Sequence, residues 1–535
     1  MLIGYVSDEL FVAIPSTTIE FQSDSQSVET HSRASGAIYA DLAAGSYSVI
    51  LNKPGYGPKR VEIDVTPDME PYHFRLLSDQ LSGYAWPKWV KSGEQSQFHV
   101  HSPEPYKIEL WRYGKQKEFV RNLGWYDEHA PRATMQITPD GDFSQSGVAW
   151  NKVGYPKPDH PAIQQNVTAP ERTGLYYFHV KTKSGLFFSF PWVVAPRQAG
   201  SDVAVLTSNI TWNAYNRYGG RSNYINPEGL PSTPIVNARQ ELQRYTNPEF
   251  ITYRVDDYPP LSLDRPELEN VVDEHACISD PIAGRLASVY APGEWRFLGW
   301  MEQQGLDYDL YADAQLHGDA ISLDDYKILV LLIHPEYWSK EMYFKLKDWV
   351  FNRGGRVLYL GGNGLNCDVE FLDDNKIAYK NGKQSDQATR GLESRFHECI
   401  ESEANLLGVV FSEPGQMTSA PYAVLNQSHW VFSGTGLKNG DEFGTESLHE
   451  RIPGGASGHE TDKVSPSSPK NVVRLAKGKN VDNGGAEMTI HTTDSGGAVF
   501  SVGSITWVSS ILVDDKVSAI TANVLHRFFD DRDPL

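Results

Sequence analysis

Two apolar strands joined by a helix follow one another in the middle of the chain. The apolar run Tyr326–Leu332 is followed by the helical stretch Ser339–Phe351, a Gly-Gly turn and the apolar run Arg356–Leu360. Strands connected through a helix lie parallel in one sheet, because the crossover helix packs back onto the sheet face. Apolar strands alternate with helical stretches from Asp202 onward. This part of the sequence therefore predicts a parallel sheet with helices on both faces.

The first part of the chain has a different pattern, in which apolar and polar residues alternate over short stretches. Lys59–Val65 and Tyr106–Tyr113 are examples, and such alternation is typical of half-buried strands. The sequence predicts a multidomain chain, with β-sandwich modules over 1–80 and 81–198 and an α/β domain over 199–535. The first module resembles the β-sandwiches related to carboxypeptidase regulatory domains. The second is expected to be Ig-like or jelly-roll-like.

The charge and the cysteine content of the chain indicate which partners and which cellular compartment to expect. The chain has 48 Lys and Arg against 68 Asp and Glu, a formal net charge of -20, whereas binding to nucleic acids or anionic membranes needs clustered positive charge. No signal-peptide pattern is visible, and no stretch approaches the ~18 consecutive apolar residues of a membrane span. The three cysteines give neither a disulfide framework nor a thiolate metal site. We therefore expect a cytoplasmic protein without nucleic-acid or membrane partners.

Four loops of the α/β region carry polar and aromatic groups suited to chemistry. They are Thr211–Gly220, His334–Glu336, Gly361–Gly364 and Gly454–Asp462. The first three follow consecutive predicted strands, and the carboxyl ends of parallel strands meet at one edge of a sheet, where ligands bind. We therefore expect the polar groups of these three loops to lie close together.

Several of the candidate residues also have a purely structural interpretation. Glu336 would cap the helix that follows it. Cys367 lies close in sequence to the turn at Asn363 and could meet His334 in space as a Cys–His pair, although a small buried thiol is its more common fate. His99 and His101 share one face of a strand and would be a metal pair only with a third ligand. These alternatives stay open at the level of the sequence.

Carboxylate and phenol groups remain as the candidate chemistry. The sequence contains no G-x-S-x-G elbow, no HExxH and no His cluster with zinc spacing. Tyrosinate and carboxylate are hard, anionic oxygen donors that suit a highly charged cation such as Fe(III). Such an ion lowers the pKa of a coordinated phenol, polarises a carbonyl and acidifies a bound water, which is the minimal apparatus for hydrolysis.

Five short motifs lie in the chain after Asp202. They are T-W-x-A-Y-N at Thr211–Asn216, H-P-E-Y-W-S at His334–Ser339, L-G-G-N-G at Leu360–Gly364, G-A-S-G-x-E-x-D at Gly455–Asp462 and G-S-x-x-W at Gly503–Trp507. With these motifs, roughly the last three-fifths of the chain resembles the C-terminal catalytic domain of the N,N-dimethylformamidase large (beta) subunit-like family.

The resemblance implies a glutamine-amidotransferase-like (flavodoxin-like) α/β domain with a mononuclear iron, as Fe(III), held by two tyrosines and one glutamate. Tyr215 would be the first tyrosine and Glu336 the carboxylate. The second tyrosine is either Tyr253 or Tyr258, and Tyr253 is favoured because it lies in a strand-like run.

Roles for three further side chains follow from the same resemblance. His334 would orient the attacking water or shuttle its protons, Asn363 would donate a hydrogen bond to the substrate carbonyl or its oxyanion, and Glu460 would be a general base or acid. The implied activity is hydrolysis of a small N-substituted amide, with formamides as the leading class, to an acid and an amine. The alternative is an amidotransferase-like domain without metal chemistry that serves binding or assembly.

Two further expectations concern the substrate and the assembly. The aromatic residues of the loops would either line an apolar pocket for N-alkyl groups or pack in the core; they are Trp212, Tyr218, Tyr337 and Trp338. The β modules and the negative charge are compatible with a homo-oligomer, and a small subunit is a further candidate partner.

Overall fold

Two small sheets enclose the first core of the protein. The computed structural model describes residues 1–126, 166–220, 222–223, 232–236, 260–280, 289–373, 375–380 and 384–530. One sheet orders the strands Ala37–Tyr39, Leu2–Asp8 and Tyr72–Leu76; the other orders Ser27–His31, Thr18–Gln22, Gly45–Asn52 and Lys59–Val65. Alternate residues of these strands share one apolar cluster that includes Ile3, Phe21 and Val49. The arrangement is consistent with the predicted β-sandwich.

Two further sheets enclose a second core. The larger orders the strands Lys117–Tyr126, Tyr106–Tyr113, Gly174–Thr182, Phe187–Ala195 and Trp89–Lys91; the smaller orders Asn166–Thr168, Gln95–His101 and Ser82–Trp86. Phe98 from the smaller sheet packs with Ile108, Phe178 and Trp192 from the larger. This part is also consistent with a β-sandwich.

A nine-stranded mixed sheet is the centre of the remaining chain. Its strands in chain order are β1 (Val203–Thr207), β2 (Asp309–Ala312), β3 (Ile328–Ile333), β4 (Arg356–Gly361), β5 (Tyr422–Val424), β6 (Glu442–Phe443), β7 (Val473–Gly478), β8 (Glu487–Thr492) and β9 (Ala498–Ser501). Across the sheet the order is β2-β1-β3-β4-β9-β8-β7-β5-β6. Neighbours from β2 to β9 are parallel, and neighbours from β9 to β6 are antiparallel. The sequence predicts a parallel sheet, and the structure adds an antiparallel extension to the parallel strands.

Helices pack on both faces of this sheet. The helices of this part of the chain are α1 (Asn209–Tyr215), α2 (Ala291–Gln303), α3 (Lys340–Arg353), α4 (Gln384–Thr389), α5 (Arg395–Cys399), α6 (Ala404–Leu407), α7 (Trp507–Ser510) and α8 (Asp515–Phe529). Because side chains alternate along a strand, Val205 joins the core beneath α2, α7 and α8, whereas Leu206 joins the core beneath α1 and α3. Among the described residues, no helix has both the length and the apolar character needed to cross a membrane.

The smaller elements surround the large sheet. A four-stranded sheet orders Leu261–Ser262, Lys376–Tyr379, Cys367–Asp373 and Tyr337–Trp338, and two strand pairs join Val410–Ser412 to Thr461–Lys463 and Ser419–Ala420 to Ser457–Gly458. Short 3-10 helices occupy Tyr218–Gly220, Leu268–Asn270, Asp313–Leu316, Leu323–Asp325, Trp430–Phe432 and Val481–Asn483.

The start of α3 tests the prediction that Glu336 caps this helix. The N-cap of α3 is Ser339, whose side chain accepts a 3.3 Å hydrogen bond from the backbone N–H of Met342. Ser is a preferred N-cap because its hydroxyl satisfies a free N–H of the first turn. Glu336 is therefore not the cap of α3, and its carboxylate has other partners.

Candidate active site

The first two predicted loops meet where β1 and β3 end. Helix α1 follows β1 and ends at Tyr215, and Glu336 follows β3. The phenol of Tyr215 donates a 2.7 Å hydrogen bond to Glu336 Oε2, and the backbone N–H of Glu336 donates to Thr211 Oγ1 at 3.1 Å. The strand order reverses between β1 and β3, and ligands of open α/β sheets bind at such a point.

Sharp backbone turns shape this edge of the sheet. Ile333, Asn363 and Leu365 have φ values of +55°, +52° and +55°, which are uncommon outside glycine and most unusual for a β-branched residue such as Ile333. The N–H of His334 donates to Leu332 O at 2.7 Å, so the chain reverses tightly around Ile333. Backbone strain of this kind concentrates at functional sites.

Glu336 is buried and its two oxygens have different partners. Oε1 accepts a 2.8 Å hydrogen bond from Arg395 Nη2, whereas Oε2 faces the phenol of Tyr215 and lies 3.2 Å from His334 Nε2. Burial by itself raises the pKa of Glu336, but the contacts with His334 and Arg395 outweigh burial and hold the pKa below its usual value. The carboxylate is thus ionised and fixed in orientation.

Arg395 is a residue of the site that the sequence did not indicate. It is the first residue of α5 and lies 59 residues from Glu336 along the chain. No motif surrounds it, and arginine at a helix start is ordinary. Only a tertiary contact identifies its role.

His334 lies between two carboxylates. Its Nε2 atom is 3.2 Å from Glu336 Oε2 and 3.1 Å from Glu460 Oε2, although neither contact has the angles of a hydrogen bond. Burial lowers the pKa of His334, but the two carboxylates outweigh burial and raise the pKa to about 9. The imidazole of His334 is therefore positively charged at neutral pH.

The third and fourth loops complete the cluster. Asn363 Nδ2 donates to Glu460 Oε2 at 2.8 Å, and the N–H of Asn363 donates to Asp462 Oδ1 at 2.7 Å. Glu460 Oε1 accepts from Gln416 Nε2 at 3.3 Å. Burial raises the pKa of Asp462 to about 7. An amide nitrogen has two hydrogens, so Asn363 keeps one for a further acceptor.

The glycine before Asn363 allows the two loops to approach. A Cβ atom on Gly362 would lie 2.5 Å from the carbonyl oxygen of Glu460 and 2.8 Å from the backbone nitrogen of Ile505. Only glycine permits this contact between backbones. The L-G-G-N-G turn thus brings Asn363 and Glu460 together.

Aromatic rings surround Tyr215. Its ring centroid is 5.5 Å from that of His334, 5.8 Å from that of Tyr290 and 6.3 Å from that of Tyr337. Burial, together with the charge of Glu336, raises the pKa of Tyr215 well above its usual value. The four aromatic loop residues are all buried and belong to apolar clusters: Trp212, Tyr218, Tyr337 and Trp338. Their packing favours the core interpretation.

The remaining predicted residues have separate outcomes. Tyr253 and Tyr258, the candidates for the second tyrosine, lie outside the described residues. The thiol of Cys367 donates to Lys380 O at 3.1 Å, and burial raises its pKa to about 12. His101 Nε2 lies 2.5 Å from Asp79 Oδ1, whereas the ring of His99 stacks on another aromatic ring.

The donor set fits the iron that the resemblance implies as far as the described residues extend. Within them, no three His, Cys, Asp or Glu side chains are grouped to hold a metal, and the ligand set that the resemblance implies includes two tyrosines. The oxygens of Tyr215 and Glu336 are 2.7 Å apart, so both would be within reach of one ion. A hard, highly charged cation would displace the phenol proton.

The fold and the site together define a sheet-centred protein with a carboxylate–histidine–phenol cluster at the ends of parallel strands. The family model described as N,N-dimethylformamidase beta subunit-like, C-terminal, matches residues 111–518. The chain therefore belongs to this family. The match includes Tyr215, His334, Glu336, Asn363 and Glu460.

Two curated relatives are similar to part of the chain. The N,N-dimethylformamidase beta subunits of Paracoccus aminophilus and of an Alcaligenes species are each 24% identical over 289 residues, which is 45% of this chain and 37% of the relative. The match thus spans little more than a third of each relative. A DUF3823 family protein from Bacteroides ovatus is 13% identical, with 34% of this chain and 92% of that chain covered, but its TM-score of 0.12 carries no structural argument.

Proposed function

We propose that this chain is an iron-dependent amidohydrolase that cleaves the C–N bond of small N-substituted amides of the N,N-dimethylformamide class. The observation that carries the proposal is the 2.7 Å contact between Tyr215 and Glu336, which lies inside the region matched by the family. The two curated relatives are named for the same reaction class. A buried carboxylate and a half-buried phenol at a strand end form a donor pair for a hard cation.

Tyr215 Oη and Glu336 Oε2 would hold the iron, as Fe(III), together with Tyr253 or Tyr258. When bound, the ion polarises the amide carbonyl and acidifies a water. Arg395 holds the other oxygen of Glu336, so that Oε2 keeps one orientation.

The remaining polar groups would move protons and hold the oxyanion. In hydrolysis the oxygen of water bonds to the carbonyl carbon, the C–N bond breaks, and a proton from the water ends on the amine nitrogen. His334 Nε2 and Glu460 Oε2 are 3.1 Å apart, so Glu460 would receive the proton of the water and the protonated His334 would deliver one to the amine, after which the two exchange a proton. The free hydrogen of Asn363 Nδ2 would donate to the oxyanion.

The Cys–His alternative has less support. The thiol of Cys367 donates to a backbone carbonyl, and its pKa of about 12 leaves little thiolate at neutral pH. A non-catalytic binding domain would not need a charged histidine between two buried carboxylates, because burying such groups costs free energy. Perturbed titratable groups in one cluster are more typical of active sites.

We further propose that residues 199–535 form a glutamine-amidotransferase-like, flavodoxin-like domain and that residues 1–80 and 81–198 are separate modules. The order β2-β1-β3-β4-β9 of the parallel strands supports this, because it corresponds to the doubly wound order 2-1-3-4-5. Both curated relatives are named beta subunits, which supports assembly with further copies of this chain or with a small second polypeptide.

The test is an activity assay on iron-reconstituted protein with N,N-dimethylformamide, in which dimethylamine and formate are both quantified. We expect both products in equal amounts, and a loss of more than ~100-fold in Glu336→Gln. Glu401→Gln is the matched control, because Glu401 also accepts a hydrogen bond from a buried tyrosine, Tyr343, outside the site. Absence of products, or full activity of Glu336→Gln, would overturn the proposal.

A further inference from the structure

The side-chain amide of Asn363 lies between Glu460 and a second asparagine, Asn366. Asn366 Nδ2 donates a 2.6 Å hydrogen bond to Asn363 Oδ1, and Asn363 Nδ2 donates to Glu460 Oε2 at 2.8 Å. Both asparagines are buried. Asn366 lies two residues beyond the L-G-G-N-G motif, so the resemblance gives it no role.

These two contacts allow only one orientation of the Asn363 amide. An ionised carboxylate and an amide oxygen both only accept hydrogen bonds. The nitrogen of Asn363 therefore faces Glu460, its oxygen faces Asn366, and the nitrogen of Asn366 in turn faces Asn363. Nitrogen and oxygen of an amide are assigned by such a network of partners. Both hydrogens of Asn363 Nδ2 thus lie at the end of the amide that faces the candidate active site.

Backbone hydrogen bonds hold Asn366 in place independently of its side chain. The carbonyl oxygen of Asn366 accepts from the N–H of Phe396 in α5 at 2.9 Å, and the N–H of Cys367 donates to the carbonyl oxygen of Glu336 at 3.0 Å. A substitution of the Asn366 side chain leaves these bonds available. The contribution of its amide to Asn363 can therefore be tested separately from the fold.

The contact matters most at the step in which Glu460 gains a proton. In the proposed hydrolysis Glu460 receives the proton of the water, and a protonated carboxyl group has an O–H donor. An Asn363 amide whose oxygen had no other donor would turn that oxygen toward Glu460. The turn would withdraw the N–H that the oxyanion needs. Asn366 occupies the oxygen of Asn363 and opposes this turn.

We propose that Asn366 is a positioning residue that keeps the Nδ2 hydrogens of Asn363 directed toward Glu460 and the substrate oxyanion. The inference rests on the proposed function, because the hydrolysis gives Asn363 its oxyanion. An asparagine that only stabilised the fold would affect the stability of the protein and leave kcat unchanged.

The first test compares Asn366→Asp and Asn366→Leu in the hydrolysis assay of the iron-reconstituted protein. At pH 8 both changes remove the donor, so kcat should fall by at least ~10-fold while KM changes by less than ~3-fold. A protonated carboxyl group can donate to Asn363 Oδ1, so the ratio of kcat in Asn366→Asp to kcat in the unmodified protein should rise between pH 8 and pH 5. The same ratio for Asn366→Leu should stay constant.

Neighbouring charges and general destabilisation are controlled in the same assay. Glu460, Asp462 and Arg395 are present in every protein compared, so their own pH dependence cancels in the ratio. Asn523→Asp is the matched control, because the Asn523 amide also donates to buried neighbours, the carbonyl oxygens of Val431 and Ser433 at 2.9 and 2.8 Å, outside the site. It should keep kcat, and its ratio should not change with pH.

A second measurement does not depend on turnover. In the iron-free full chain labelled with [15N]asparagine, the side-chain NH2 signal of Asn363 is the one that is lost in Asn363→Ser. Its exchange with deuterated water should be at least ~10-fold faster in Asn366→Leu than in the unmodified chain and unchanged in Asn523→Asp.

The outcomes separate this inference from the proposed function. An unmodified protein that hydrolyses no amide overturns the proposed function, and the NH2 exchange rate still tests the contact between the two asparagines. The inference is overturned if an active protein keeps its kcat in both Asn366 variants, if Asn366→Asp has the same kcat as Asn366→Leu at every pH, or if Asn366→Leu leaves the exchange rate unchanged.

Discussion

The phenol of Tyr215 donates a 2.7 Å hydrogen bond to Oε2 of Glu336 across 121 residues of sequence. The contact joins the end of α1 to the loop after β3, and Arg395 holds the opposite carboxylate oxygen from α5. Three distant segments thus fix one carboxylate. This arrangement leaves Oε2 pointing toward both Tyr215 and His334.

Tyr215→Phe should lower the rate of hydrolysis more than it lowers the stability of the fold. The change keeps the ring in place and deletes one hydrogen bond to a charged group. A hydrogen bond of this kind stabilises the fold by about 1.5–3 kcal/mol. Hydrolysis should fall by more than ~100-fold if the phenol is a ligand. Tyr343→Phe, which deletes the 2.8 Å bond to Glu401 outside the site, should cost similar stability and keep activity. Equal activity losses in both variants would contradict the role of Tyr215.

Arg395→Met should destabilise the protein and weaken its affinity for iron. Without Arg395, the buried and charged carboxylate of Glu336 loses one of its partners. We expect the free energy of unfolding to fall by roughly 2–4 kcal/mol, which is less than for a fully buried pair because Arg395 is slightly exposed. Arg390→Met breaks a more exposed pair with Glu398 and should cost under ~1 kcal/mol. Urea denaturation of the two variants gives the comparison. Equal urea midpoints for the two variants would show that the contact between Arg395 and Glu336 adds nothing to stability.

Glu294 should make stability depend on pH. Burial raises its pKa to about 8 from 4.5. Its Oε1 accepts from the N–H of Ser208 at 2.9 Å, whereas its Oε2 is buried and accepts no hydrogen bond from any described residue. The folded state thus binds the proton more tightly than the unfolded state, so this group weakens the fold increasingly as pH rises from about 4.5 to about 8.

Glu294→Gln should remove that dependence. The midpoint temperature of the unmodified protein should fall relative to that of the variant between pH 5 and pH 8, as measured by calorimetry in matched buffers. Above pH 8 the difference should be constant. A difference that does not change with pH across this window would show that Glu294 is not buried as described.

Alkylation should distinguish the cysteines without affecting activity. Cys277 and Cys399 are exposed, and Cys367 is buried with a pKa of about 12. Iodoacetamide should therefore modify Cys277 and Cys399 in the native protein and reach Cys367 only after unfolding, as read by peptide mass spectrometry. Rapid native labelling of Cys367 together with loss of activity would revive the Cys–His alternative.

Local sequence pattern was sufficient for the strands β3 and β4, the helix between them and the approach of Tyr215 to Glu336. The predicted helix Ser339–Phe351 corresponds to Lys340–Arg353, and the predicted strand Arg356–Leu360 corresponds to Arg356–Gly361. Periodicity, a serine cap and paired glycines carry that information locally. The convergence of Tyr215 and Glu336 then follows from strand direction.

Other features depend on contacts that no local pattern records. Arg395 reaches Glu336 only through the tertiary fold, and the positive φ of Ile333 is contrary to the preference of a β-branched residue. The antiparallel strands β5 and β6 are too short to show a period. Such features arise when tertiary packing overrides local preference.

Metal content by mass spectrometry, with a visible spectrum of the same sample, tests the Tyr–Glu iron site most directly. Protein purified without added metal should contain near-stoichiometric iron and show a phenolate-to-Fe(III) charge-transfer band. The band should disappear in Tyr215→Phe, and in whichever of Tyr253→Phe or Tyr258→Phe removes the second ligand. A colourless protein that binds no iron on reconstitution would contradict the account.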